Sequence, residues 1–252
     1  MPQPPFRWIS STVTHVGKVR KHNEDSCLDR SDVGLWVVAD GMGGHVSGDL
    51  ASQLIVNTLA KVQKSDSLSE TINRIDDALL SVNARLMAMA ADTKQTCGST
   101  VVALLAFDRF CVCMWAGDSR IYRLRGKDFR QLTTDHSQVE VFVEQGLISR
   151  EEAAAHPAGN MVTRAVGAST DLFVEMDILE LKHGDKYLLC SDGLDKHVAD
   201  TEIARILAKA DPDTAAKALI DATLARGATD NVTVSVIAVQ ANQAAGQQSS
   251  AA

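Results

Sequence analysis

The sequence predicts an α+β protein, mostly antiparallel sheet with helices packed outside it. Three observations lead there. Apolar residues recur every three or four positions in blocks near 50–90 and 200–226, while residues 99–134 alternate with a period of two. The links between the alternating runs are of hairpin length, as at Asp108-Arg109 and Gly126-Lys127. No internal repeat or linker divides the 252 residues, which suffice for one large domain.

In chain order, residues 7–16 and 24–30 read as opening strands joined by the polar turn 17–25. Residues 35–39 form an apolar run rich in β-branched and aromatic side chains, a buried strand that stops at Asp40. After the glycine-rich loop 41–44, Leu50, Leu54, Ile55, Leu59 and Val62 fall at helical spacing. Ser67-Leu-Ser-Glu70 predicts a capping box. It opens a second helix, whose Leu68, Ile72, Ile75, Leu79, Val82, Leu86 and Met89 make one narrow stripe. The two helices are expected to lie as an antiparallel pair on a sheet.

Strands near 99–107, 110–116, 119–125 and 129–133 predict a meander. Residues 135–168 break that rhythm. Helical pieces near 138–144 and 150–155, the second opened by the capping box Ser149-Arg-Glu-Glu152 and stopped by Pro157, predict a mobile surface flap. Strands near 172–181 and 186–190 follow, then helices near 201–209 and 212–226. Pro212 suits a first turn and Gly227 a C-terminal cap. A last strand, 232–239, completes a domain over residues 1–240. The Ala/Gln/Ser-rich stretch 241–252 is expected to be a disordered tail.

Composition narrows the function. A net charge of −7 with dispersed Lys and Arg argues against a nucleic-acid face or a membrane-surface patch. The longest apolar run, 101–107, is too short to span a membrane, and the N-terminus shows no apolar leader segment. Five cysteines without a regular framework suit a reduced, cytoplasmic setting, and Cys111 and Cys113 read as core thiols.

The chemistry lies in the carboxylates. Asp40, Asp118 and Asp192 each follow an apolar run and stand beside glycine, Asp230 precedes a strand, and Glu24 and Asp25 open another. In an antiparallel sheet the end of one strand and the start of its neighbour share an edge, so these groups are expected at a common rim. A close ionised pair repels by about 4 kcal/mol at an effective dielectric near 20. Either some of the carboxyls stay protonated or cations sit between them. The bland alternative makes each Asp a helix cap or an Asx-turn, but three strands ending alike weaken it. All-oxygen ligands suit Mg²⁺ or Mn²⁺, and several carboxylates can hold two such ions. Arg20, beside this rim, is a natural partner for a phosphate.

Seven motifs appear in one order: Val19-Arg-Lys-His-Asn-Glu-Asp25, Ala39-Asp-Gly-Met-Gly-Gly-His45, Cys97-Gly-Ser-Thr100, Ala116-Gly-Asp-Ser-Arg120, Thr134-Asp-His-Ser137, Ser191-Asp-Gly-Leu194 and Ala228-Thr-Asp-Asn-Val232. Together they resemble a bacterial metal-dependent protein phosphatase of the 2C type (the PPM family), over about residues 9–239. The resemblance implies two packed antiparallel sheets flanked by helices, an α-β-β-α sandwich with a two-metal site at one edge. It makes Asp40 the bridge between the metals, gives Glu24 and the Gly41 carbonyl to one ion, and gives Asp192 and Asp230 to the other. Asp118 with Asp192 would hold a third, weaker ion. Arg20 would grip the substrate phosphate, and Asp25 would orient ligands or water. Residues 135–165 match the family's flap.

Two departures stand out. Met42 occupies the place where eukaryotic members carry a histidine proposed as general acid, and Gly159 stands where flaps often carry a basic residue. His45, three positions on, is read as structural.

The implied reaction is hydrolysis of phosphoserine and phosphothreonine on proteins by a metal-activated water, without a phosphoenzyme. Expected partners are phosphoproteins, including a cognate serine/threonine kinase or its targets, with the chain acting as a monomer. A dead scaffold would have lost a ligand, and none is missing. A dinucleotide site would need G-x-G-x-x-G and a parallel sheet, and the loop reads G-M-G-G-H. A small-molecule phosphoesterase shares the metal logic.

Overall fold

A computed structural model describes residues 5–43, 47–93, 97–153, 156–159 and 161–242. The chain opens with β1 (Phe6–His15), β2 (Asp25–Arg30) and β3 (Leu35–Met42), followed by helices α1 (Ser47–Leu59) and α2 (Leu68–Thr93). Strands β4 (Gly98–Ser99), β5 (Val101–Phe107), β6 (Phe110–Ala116), β7 (Arg120–Arg125) and β8 (Asp128–Gln131) come next. Two short helices, α3 (Gln138–Glu144) and α4 (Arg150–Ala153), precede β9 (Glu175–Glu180) and β10 (Lys186–Cys190). The chain closes with α5 (Asp192–Asp195), α6 (Asp200–Lys209), α7 (Pro212–Ala225) and β11 (Val232–Ala241).

Two antiparallel sheets result. One runs β1-β11-β10-β7-β8, and the other runs β2-β3-β5-β6-β9 with β4 added against β3. Side-chain alternation along the strands sorts the apolar residues into three layers. Leu35, Val37, Ala39, Ala103 and Leu105 face α1 and α2, where the predicted stripe Ile75, Leu79, Val82 and Leu86 is buried. Trp36, Val38, Val102, Leu104, Tyr187, Leu189 and Ile237 fill the space between the sheets. Leu188, Val232, Val234 and Val236 face Ile203, Leu207, Leu219 and Ile220 of α6 and α7. The arrangement is the four-layer sandwich. Cys111 and Cys113 belong to the central layer and are fully buried, as core thiols should be.

Several local expectations change. The run 99–133 is not one meander. β5–β6 and β7–β8 are hairpins in different sheets, and the chain crosses between them at Gly117, whose φ of 122° most side chains resist. Thr100 interrupts the first strand, separating β4 from β5. The capping box at α2 is half made. Ser67 Oγ accepts the Glu70 N–H, but Ser65 and Arg74 take the Glu70 carboxylate. At Ser149 and Glu152 both halves form. Leu50 points outward, and Val62 packs on the core beyond the end of α1. The short α5 has no sequence counterpart, and β11 runs on through Ala241, so only the later part of the expected tail, 243–252, lies outside the described residues. His45 also lies outside them.

The flap is tied down at its base. His136 and Thr163 bond across it, as do Gln138 and Met161, while Val166 pairs with Ser99. Its helices α3 and α4 bury no residue. Among the described residues, no helix is long and apolar enough to cross a membrane.

Candidate metal and phosphate site

The two sheets share one end, and a cleft of about 610 Å³ opens there. Arg20, Glu24, Asp40, Gly41, Asp118, Asp192 and Asp230 all line it. Each is set by a local backbone device.

Asp40 lies inside β3 rather than ending it, because β4 extends the pairing past it, Gly41 facing Ser99. Its own peptide is held on both sides: the N–H reaches Thr100 Oγ1 at 3.1 Å, and the carbonyl accepts Thr100 N–H at 2.8 Å. Gly41 donates its N–H to the Glu24 carbonyl at 3.1 Å. A Cβ at Gly41 would stand 2.1 Å from the Gly48 carbonyl oxygen, so only glycine lets α1 approach here. Gly48 in turn is the surface against which the Glu24 carboxylate packs, 2.4 Å from where a Cβ would lie.

Asp118 sits in the crossover turn, where Ser119 and Thr100 share a 2.7 Å hydroxyl contact. Asp192 opens α5, and a Cβ on the neighbouring Gly193 would come within 1.9 Å of the Asn231 carbonyl. Asp230 precedes β11. The next residue, Asn231, fastens the edge together: its Oδ1 accepts the Glu24 N–H, and its Nδ2 donates to the carbonyls of Val16 and His22 at 2.8 and 2.9 Å.

Asp25 lies beneath the cleft and does not line it. It is 6% exposed, its Oδ2 accepts the hydroxyls of Ser191 and Thr233 at 2.7 Å each, and its Oδ1 is buried without a hydrogen-bond partner.

Crowding shows in the electrostatics. Burial, followed by the charges of Asp25, Asp192, Asp118 and Asp230, pushes the Asp40 carboxyl well above the ordinary range. Asp25 is raised to about 7 by burial, against the two hydroxyls, with Asp192 and Asp230 adding to the rise. Asp118 also rises to about 7, through burial and then the charges of Asp192 and Asp135. Two side-chain cations relieve part of this: Arg20 Nη2 meets Asp230 at 2.8 Å, and Lys196 Nζ bonds Asp192.

Among the described residues, no three His, Cys, Asp or Glu side chains already stand in an ion-gripping cluster. The donor set nevertheless fits hard divalent cations. It is all oxygen, mutually repelling and largely buried, and the orphaned Asp25 Oδ1 lies beneath it.

Sequence reasoning gave no role to three residues lining the cleft: Lys196, which it did not single out, and Thr100 and Asn231, which stand within its motifs. It also missed Arg120, which is bidentate to Asp135 and reaches Asp195 at 2.9 Å, joining the flap base to α5. A cation four positions after Asp192 was the one signal available for Lys196. Met42 lines the cleft as expected, and Gly159 does not.

Known proteins resemble this chain in sequence and fold. The chain matches the family described as Protein phosphatase 2C over residues 15–234. Serine/threonine protein phosphatase PstP of Mycobacterium tuberculosis is 35% identical over 223 residues, covering 87% of this chain and 43% of that protein. The chain therefore spans less than half the length of that relative. PppA, described as a key regulatory component of T6SS in Pseudomonas aeruginosa, superposes with a TM-score of 0.86 at 41% identity, covering 92% of this chain and 98% of PppA. The catalytic domain of PstP in complex with two manganese ions gives 0.84 at 32% identity, covering 93% and 99%. The fold class is thus that of the bacterial serine/threonine phosphatases, two antiparallel sheets with flanking helices. The chain belongs to the protein phosphatase 2C family.

Proposed function

We propose that this chain hydrolyses phosphoserine and phosphothreonine on proteins, using two divalent ions, Mn²⁺ or Mg²⁺, and opposing a serine/threonine kinase. One observation carries the reading: four segments distant in sequence bring Glu24, Asp40, Asp192 and Asp230 into one cleft with Arg20 on its rim. A phosphatase bound to two manganese ions among the chain's structural neighbours supports metal dependence.

In this reading Asp40 would be shared by the two ions, Glu24 and the Gly41 carbonyl would hold one, and Asp192 and Asp230 would hold the other. When bound, such ions make a water acidic enough to serve as nucleophile at neutral pH and offset phosphate charge. The chain's own residues do the rest. Arg20 keeps its side chain 57% exposed while one nitrogen holds Asp230, leaving donors for the substrate phosphate. Asp25, with Oδ1 unpaired, is the buried acceptor that orients ligands or water. Ser191 and Thr233 fix its other oxygen. Asn231 ties the Glu24 N–H and the His22 carbonyl to the start of β11, holding the two sheets' edges together at the cleft. No covalent phosphoenzyme is required, since catalysis here is positional and electrostatic.

The test is phosphate release from a phosphothreonine peptide and a phosphotyrosine peptide, with Mn²⁺, Mg²⁺ or chelator. Metal-dependent release from the phosphothreonine peptide alone is expected. Release that persists in chelator, or that favours phosphotyrosine, would overturn the reading. Turnover confined to small phosphate esters would replace protein substrates with small molecules.

A further inference from the structure

We propose that Lys196 is a built-in counter-ion for Asp192 and Asp118, standing where a third divalent ion would otherwise be held. The inference deepens the two-ion reading above and rests on it.

The placement comes from the backbone. Lys196 directly follows α5 and lies four residues past Asp192, so one helical turn sets the two side chains side by side. Nζ bonds Asp192 Oδ2. The lysine side chain is 33% exposed and forms part of the cleft wall. After Asp192, the carboxylates whose fields act on the ammonium are Asp118 and Asp230. The reverse influence, of Lys196 on Asp118, is also felt. Asp230 already has Arg20 at 2.8 Å and Asp192 has Lys196 itself, so of these three cleft carboxylates Asp118 is the one with no ion pair among the described residues.

A tethered ammonium has an advantage over a dissolved ion at this place. It pays no translational entropy on arrival, and it is present at any metal concentration. A divalent ion seeking both Asp118 and Asp192 must displace it, at a Coulombic cost comparable to that of a part-buried pair. The two principal positions are less exposed to this competition, because they draw on Asp40, Glu24, Gly41 and Asp230 as well. The consequence is a metal centre that saturates at two ions, with the lysine closing off a third.

The experiment is a calorimetric titration of Mn²⁺ into the full chain and into Lys196→Met and Lys196→Arg, with thermal melting run alongside. The wild type and Lys196→Arg are expected to take up two ions. Lys196→Met is expected to take up a further, weaker ion, bound at least about tenfold more tightly than any extra uptake by the wild type. Adding Asp118→Asn to Lys196→Met should abolish that extra ion and leave the first two. Identical stoichiometry and affinities in wild type and Lys196→Met overturn the proposal while leaving the two-ion reading standing. So does a third ion bound equally well by wild type. Absence of uptake by every form overturns the two-ion reading, and this proposal with it.

Discussion

Asp25 of β2 and Asp40 of β3 are direct partners in the antiparallel register of their sheet. Residues so paired hold their Cβ atoms about 4.5–5.5 Å apart, and like charges in that position destabilise a sheet. Burial multiplies the effect, raising Asp25 to about 7 and Asp40 well above the ordinary carboxylate range. In the metal-free chain a proton relieves such a pairing; above the raised titration range a bound cation would do so.

The first prediction concerns pH. Folding raises the Asp25 and Asp118 carboxyls from 3.8 to about 7, so the folded chain binds more protons than the unfolded one in that window. Their stabilising contribution is complete below about pH 4 and is lost as pH rises through about 7. Without metal, melting temperature should carry a falling component from pH 5 to pH 8. Saturating Mn²⁺ should raise it more at pH 8 than at pH 5.5, because at the lower pH the ion must displace protons. Scanning calorimetry over that range decides the point, and a gain from Mn²⁺ independent of pH would contradict it.

Arg20→Ala should lower kcat/KM for a phosphothreonine peptide by about 10- to 100-fold, the worth of a charge-assisted hydrogen bond. Arg20→Lys should restore little, since a point charge cannot make the guanidinium's paired contacts. Manganese affinity should not weaken in either variant, because Arg20 competes for Asp230 rather than binding metal. Steady-state kinetics beside a metal titration separates the two effects.

Arg120 joins Asp135 at the flap base to Asp195 at the end of α5, all three side chains being less than a quarter exposed. Arg120→Ala strands two buried carboxyls and should cost about 3–5 kcal/mol. For a chain of this size that is a fall in melting temperature of roughly 10 °C. Proteolysis of the flap should accelerate in the same variant, since one of its anchors is gone.

Asn231→Ala removes three hydrogen bonds that hold residues 16–24 against the start of β11. A loss of about 2–4 kcal/mol is expected from the unsatisfied groups left behind. Metal affinity should fall with it, because Glu24 loses its fixed position relative to Asp230. Asn231→Asp, which keeps the acceptor for the Glu24 N–H but turns a buried carboxylate oxygen toward the Val16 and His22 carbonyls, should be no more stable than Ala.

The parts of this molecule legible in the sequence were those with local signals. The period-two runs gave the strands. The stripe from Ile75 to Leu86 gave α2, and glycine beside Asp40, Asp118 and Asp192 marked the rim. The motif order carried the expected ligand set, whose carboxylates share one cleft. What escaped depends on contacts between distant segments. The switch of sheets at Gly117 leaves no trace in a hydrophobic pattern, because β6 and β7 are each buried strands whichever sheet they join. Arg120 finds Asp195 across 75 positions, and Asn231 finds Val16 across 215, separations at which no periodicity operates. The half-made cap at Ser67 failed for a different reason: Ser65, two residues upstream, competes for the Glu70 carboxylate.

The account as a whole stands on Asp40 as the carboxylate shared by two ions. The direct measurement is Mn²⁺-dependent hydrolysis of a phosphothreonine peptide by wild type and Asp40→Asn, with bound manganese determined by equilibrium dialysis on the same samples. The variant should stay folded, bind less manganese and lose about 100-fold or more in kcat, the scale of several kcal/mol of transition-state charge stabilisation. A folded Asp40→Asn protein that binds manganese and turns over peptide at the wild-type rate would contradict it.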